Sequence, residues 1–111
     1  MTAVNLYGLK SCDTCRTALR DLANAGHTVT FIDIRADKDL KARLTEWLQQ
    51  PAADLLINKR STTWRNLTEE QRNHPAEQLL VAHPTLIKRP VIASGQQIWV
   101  GWGADTKKYF L

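Results

Sequence analysis

Long apolar runs are missing from this chain. Nowhere do eighteen apolar residues stand together, so no segment is suited to cross a membrane as a helix. Cysteine is scarce: the 111 residues hold two, Cys12 and Cys15, too few for the disulfide framework of a small secreted domain. A chain of this length can bury a core without such staples. A structural zinc centre asks for four ligands, and outside the cysteine pair there are only the isolated His27, His74 and His83, so no metal is expected. Charge of either sign is not concentrated. Fifteen Lys and Arg face eleven Asp and Glu, a net +4, and the bases are scattered, with no helix-turn-helix, zinc-finger or RNA-binding signature beside them. Direct nucleic-acid binding is therefore not expected, whereas a small acidic ligand fits the mild excess. The opening "MTAVNLYGLK" lacks the basic-then-apolar order of a secretion signal. With no internal repeat, low-complexity segment or linker, the expectation is one domain spanning residues 1–111, cytoplasmic, away from membranes and monomeric.

What is present is a sequence of changing periods. "AVNLYG" is strand-like and ends at Gly8. From Cys15 the apolar positions run Cys15, Ala18, Leu19, Leu22 and Ala23, the spacing of an amphipathic helix. That predicts a helix over about residues 13–25, with Gly26 as its left-handed terminator. "HTVTFIDI" has the β-branched and aromatic enrichment of a second strand, completing a β-α-β unit with parallel strands and a right-handed crossover. Leu40, Leu44, Trp47 and Leu48 return to helical spacing up to Pro51, and "AADLLINK" continues that character. Periodicity breaks around Ser61 to Thr63, Thr68 with Glu69 and Glu70 marks a helix start, and "AEQLLVAH" is a further short helix. "PTLIKRP" is bracketed by prolines, "VIASGQQIWVG" reads as a hairpin turning at Ser94–Gly95, and "ADTKKYFL" closes with a helix. This order specifies an α/β, thioredoxin-like fold: a mixed four-stranded sheet with an all-helical insertion of roughly fifty residues.

The segment "LYGLKSCDTCRTAL" puts Cys12 where the first strand's loop meets a helix N-terminus. Free N–H groups and the positive end of the helix dipole converge there and favour a thiolate. A fall in pKa from about 8.5 to roughly 6.5 would raise the thiolate fraction at neutral pH from a few per cent to about three-quarters. Cys15, one turn on and on the same face, lies within reach as a resolving thiol, and its place in the apolar stripe is equally that of a core cysteine. Lys10 and Arg16 add positive potential near Cys12, and Asp13 opposes it. Elsewhere, Arg60 stands in an irregular polar segment and Arg89 directly precedes Pro90 at the entrance of a strand. Proline cannot donate to a sheet ladder and so belongs at the strand's first position, where a cis peptide bond in a turn would be a deliberate feature. Trp47, Trp64, Trp99 and Trp102 read as packing residues.

With "LYGLKSCDTCRTAL", "LLINKRSTTW" and "HPTLIKRPVI" in this order, essentially the whole chain resembles the arsenate reductase-like (ArsC/Spx) family. That family comprises glutaredoxin-linked arsenate reductases, Spx transcription regulators and a small reductase-like (YffB-type) branch. The resemblance implies a thioredoxin fold with a helical insertion, a nucleophilic Cys12, a cis Pro90 facing it, and Arg60 and Arg89 as anion-contacting residues. Arsenate reductases carry a third arginine after the last strands. This chain has Val100, Gly101 and Trp102 in that region, which counts against arsenate and resembles the other two branches. Spx regulators share the C-x-x-C, bind RNA polymerase and tend to run on past the position of Leu111. The small-reductase branch fits best, although Cys15 departs from members that keep only the first cysteine.

The function expected from these residues is a thiol–disulfide reductase with Cys12 as nucleophile and Cys15, or glutathione as co-substrate, resolving the mixed disulfide. No bound cofactor is expected; the partners are a small thiol or disulfide, or an oxidised protein. The alternatives are a redox sensor acting on RNA polymerase and an arsenate reductase.

Overall fold

A computed structural model of the chain describes residues 3–111. The elements run β1 (Ala3–Gly8), α1 (Asp13–Asn24), β2 (Thr28–Asp33), α2 (Leu40–Trp47), α3 (Thr62–Asn66), α4 (Glu69–Arg72), α5 (Ala76–Ala82), β3 (Val91–Ser94), β4 (Gln97–Val100) and α6 (Ala104–Phe110). Short 3-10 turns occupy Pro51–Leu55 and Pro84–Leu86. They assort into two compact units: the described residues up to Ala36 with Arg89–Leu111, and Asp37–Lys88.

The first unit holds the sheet, in the order β2-β1-β3-β4. β1 runs parallel to β2 and antiparallel to β3, and β3 is antiparallel to β4, as the thioredoxin-like reading requires. In register, Phe31, Leu6, Ile92 and Trp99 lie side by side across the four strands. Because side chains alternate along a strand, Val4 and Leu6 share this face. It packs with Cys15, Ala18 and Leu22 of α1 and Phe110 of α6 into one apolar cluster. α1 ends as its sequence specifies. Gly26 takes φ 96°, its N–H reaches the Ala23 carbonyl at 3.1 Å and the His27 N–H reaches Leu22 at 3.1 Å, the paired bonds of a Schellman cap. The β3–β4 connection is Gly95–Gln96, one residue later than the sequence suggests. Gly95 at φ 61° supplies the left-handed first position that a tight hairpin turn demands.

Trp102 is buried within the cluster and donates its Nε1–H to Asp21 Oδ2 of α1 at 3.2 Å. His27 Nε2 lies 2.8 Å from the Phe110 carbonyl, and Trp99 stacks on Tyr109 with ring centroids 4.4 Å apart. α6 is thus held to both α1's exit and the edge strand.

The second unit is helical except for one antiparallel bridge, Ile57 to Ile87, flanked by Asn58 N–H to Leu86 O at 2.9 Å and Lys88 N–H to Leu56 O at 2.8 Å. Ile57 corrects the reading of "AADLLINK" as helical throughout: helical character stops at Leu55 as a 3-10 turn, because Leu56 to Asn58 find backbone partners in the distant Leu86–Lys88 segment. Ser61 to Thr63 is likewise not a break but a helix start. The Ser61 hydroxyl accepts the Trp64 N–H at 3.1 Å, so the polar run that interrupts the apolar period is the N-cap of α3. Thr68 forms the expected start of α4, closing a capping box with Gln71. Leu40, Leu44 and Trp47 are buried along α2, and Thr45 hydrogen-bonds Glu77 of α5.

Alanine at Gly26 or Gly95 should lower stability by about 1–2 kcal/mol, the cost of a left-handed backbone for an L side chain. Urea unfolding of each variant checks this through a lowered midpoint at unchanged slope.

Candidate active site

Cys12 is the N-cap residue of α1, with φ −84° and ψ 119°. Its N–H is anchored to the Leu9 carbonyl at 3.0 Å and its own carbonyl accepts the Arg16 N–H at 3.1 Å. The turn Leu9–Ser11 thus delivers the thiol to a helix mouth whose first N–H groups have no partner within the helix. Cys12 is partly buried and Cys15 wholly so.

Burial is the largest influence on the Cys12 sulfur and opposes its charge. It is outweighed by the Cys15 backbone N–H, the Cys15 thiol and the Arg89 guanidinium, which together hold the Cys12 pKa below the ordinary thiol value. The side chain closes no cap hydrogen bond of ordinary geometry, so the Cys15 N–H acts as a nearby oriented dipole. Cys15 moves the other way: burial first, and then the neighbouring Cys12 charge, push it up to about 12 despite the Leu9 backbone N–H and Arg89. Two cysteines three residues apart are therefore shifted in opposite directions, Cys12 toward the thiolate and Cys15 toward the thiol.

Among the residues singled out from the sequence, Cys12, Cys15 and Arg89 come together, with Pro90 following Arg89 through a cis peptide bond. Pro90 is buried immediately before β3, and its carbonyl accepts the Gly101 N–H at 2.7 Å. Lys10 stands exposed in the turn before Cys12. Arg16, expected to add positive potential, forms an ion pair with Asp13, so the two flanking charges cancel each other. Arg60 lies in the second unit, exposed, its backbone N–H bonded to Asn58 Oδ1 at 3.0 Å. Among the described residues no three His, Cys, Asp or Glu side chains gather as metal ligands would, and no helix is long and apolar enough to cross a membrane. Sequence reasoning missed Leu9, whose part is played by its backbone and which leaves no side-chain signal.

The profile of the ArsC family matches residues 7–110. An uncharacterised protein of Haemophilus influenzae is 40% identical over 110 residues, covering 96% of this chain and 95% of its own. The global transcriptional regulator Spx of Bacillus subtilis is 26% identical over 117 residues, covering 97% and 86%. Among solved structures, a YFFB protein superposes with a TM-score of 0.84 at 31% identity, over 97% of this chain and 98% of its own.

Alkylation by iodoacetamide, followed at each cysteine by mass spectrometry, should show Cys12 reacting with a pH midpoint below that of a free thiol and Cys15 silent across the neutral range. Because the anion is held partly by Arg89, Arg89→Ala should move the Cys12 midpoint upward. Faster labelling of Cys15 than of Cys12 at neutral pH would reverse the assignment.

Proposed function

Since the chain belongs to the ArsC family, we propose that it is a cytoplasmic thiol–disulfide reductase, with Cys12 as nucleophile and glutathione as its thiol co-substrate. The observation that carries this reading is the lowered pKa of Cys12 at the α1 N-terminus beside Arg89. The Cys12 thiolate attacks one sulfur of the substrate disulfide, that bond breaks, and the departing sulfur leaves as a thiolate that takes a proton from water. Cys12 is then held in a mixed disulfide. A second thiol, ionised, attacks that bond and carries the attached group away as a new disulfide, restoring the Cys12 thiolate. Over the cycle one thiol is consumed and one is released from the substrate, while the disulfide bond passes to the group carried away and the incoming thiol. A molecule of glutathione can make this second attack; Cys15 would instead attack the Cys12 sulfur, release the attached group as a thiol and leave a Cys12–Cys15 disulfide for glutathione to reduce.

Charge balance supports an acidic substrate. When Cys12 enters the mixed disulfide its negative charge is gone, while Arg89 beside it stays charged. A carboxylate brought in by glutathione replaces that charge, and the guanidinium fork matches carboxylate geometry. Arsenate is disfavoured. The stretch that holds a third arginine in arsenate reductases is here Val100, Gly101 and Trp102, with Val100 and Trp102 buried and the indole committed to Asp21. Losing a transition-state contact of that kind costs on the order of a hundredfold in rate.

A redox-sensing regulator is the second reading, favoured by the 26% identity to Spx. Such a protein would oxidise once and pass its state to a partner in the transcription apparatus, whereas a reductase turns over repeatedly.

A steady-state assay separates these readings. Glutathione-linked reduction of a small disulfide should proceed over many cycles, with little or no arsenate turnover even when glutaredoxin is supplied. At a pH where Cys12 is ionised in both proteins, Arg89→Ala should raise KM roughly tenfold or more, the worth of a hydrogen bond to a charged group. Robust arsenate reduction, or a single oxidation that then stops, would displace the reductase reading.

A further inference from the structure

The Cys15 sulfur is enclosed on every side that the first unit provides. The residue has no exposed surface and sits among Leu6, Ala18, Leu22 and Ile92. On the strand side its wall is Gly8. A methyl group there would collide with Cys15 Sγ and come within 3.3 Å of its Cβ, so the sulfur fills the space that any other residue at position 8 would occupy. Leu9 then ties both cysteines with one residue's backbone: its carbonyl accepts the Cys12 N–H at 3.0 Å, and its N–H faces the Cys15 sulfur. With Leu9 donating to it, the protonated Cys15 is the neighbouring thiol that favours the Cys12 anion.

From this geometry we propose that Cys15 is a positioning residue, a standing proton donor to the Cys12 thiolate, and that the second thiol of the cycle comes from solution. To attack Cys12 itself, Cys15 would have to lose its proton without water at hand and turn away from the Leu9 N–H that it accepts. Neither obstacle faces a glutathione thiol, which ionises in water and approaches the partly exposed Cys12 from outside. The donor role concerns the resting site, whereas the assignment of the second thiol rests on the reductase reading above. No step requires a reactant beyond the substrate disulfide and two thiols.

The test compares the full-length wild type with Cys15→Ser and Cys15→Ala. Two quantities are read for each: the pH midpoint of Cys12 alkylation, and the steady-state reduction of a glutathione–cysteine mixed disulfide by glutathione. Serine keeps a donor but cannot form a disulfide. Cys15→Ser should therefore keep both a lowered Cys12 midpoint and its turnover, whereas Cys15→Ala should raise the midpoint by about one pH unit, the loss of one hydrogen bond to a charge. Turnover lost in Cys15→Ser while its Cys12 midpoint stays low would make Cys15 the attacking sulfur and overturn the proposal. Equal midpoints in all three proteins would overturn it as well, because no proton is then being donated. If the wild type itself fails to turn over glutathione, the reductase reading falls while the midpoints still decide the donor role. Should Cys15→Ala not fold, the serine variant decides alone: a Cys12 midpoint raised to that of a free thiol refutes the donor, and one held low together with turnover upholds it.

Discussion

A sulfur partly withdrawn from water, whose anion its neighbours nonetheless favour, is the constraint around which the first unit is arranged. Burial alone would keep Cys12 protonated, and each unit of pKa recovered requires about 1.4 kcal/mol of preferential interaction with the anion. The chain assembles that from separated segments. The end of β1 and the turn after it fix the Cys12 backbone, the first turn of α1 brings a backbone N–H and the Cys15 thiol, and the entrance to β3 brings Arg89. Each of these contributions depends on the sheet's register to stand where it does. A four-stranded sheet whose central strand pairs on both sides is a stiff base on which to hold such an alignment.

The neighbourhood of Trp102 shows the same economy in the packing behind the site. The resemblance places a third cation of arsenate reductases in this stretch, and here a buried indole bonds to Asp21 on α1 instead. A cation there would add to the positive potential facing an incoming anion; an indole adds apolar contact with the cluster that contains Cys15. In place of a cation, this stretch supplies packing that steadies the helix carrying Cys12.

The elements governed by local physics were legible in the sequence. Gly26 after an amphipathic stretch announced a Schellman cap, and the β-branched runs on either side of α1 announced parallel strands. A glycine between two short apolar runs marked the hairpin to within one residue. The reading failed where the decisive partner lies far along the chain or where an element is too brief to show a period. Ile57 looks helical among its neighbours, but its backbone pairs with Ile87. α3 spans five residues, less than two turns, so its only signal is the Ser61 cap, which resembles a loop. In the site, Cys12, Cys15 and Arg89 could be named from their positions beside a helix start and a proline. The pairing of Arg16 with Asp13 was not read from the sequence, where Arg16 counted as a free positive charge near Cys12, although their i, i+3 spacing allows it. The opposite pKa shifts of the two cysteines were only half visible: the helix mouth could be inferred, but the burial of Cys15 against Gly8 depends on a sheet-to-helix approach that no local pattern encodes.

The first unit is discontinuous, and this bears on how the chain is made. The stretch up to Ala36 leaves a ribosome well before Arg89–Leu111, which supply β3, β4 and α6. At about 5–20 residues per second the intervening Asp37–Lys88 takes on the order of several seconds to emerge. Throughout that interval β1 has β2 on one side and nothing from this chain on the other, an open strand edge of the kind that invites pairing with foreign strands. The apolar face of α1 is meanwhile short of Ile92, Trp102 and Phe110. The intervening stretch closes its own bridge and its α2–α5 contact from residues already synthesised by Lys88. A nascent chain stalled near residue 88 is therefore the form of this protein most in need of a chaperone.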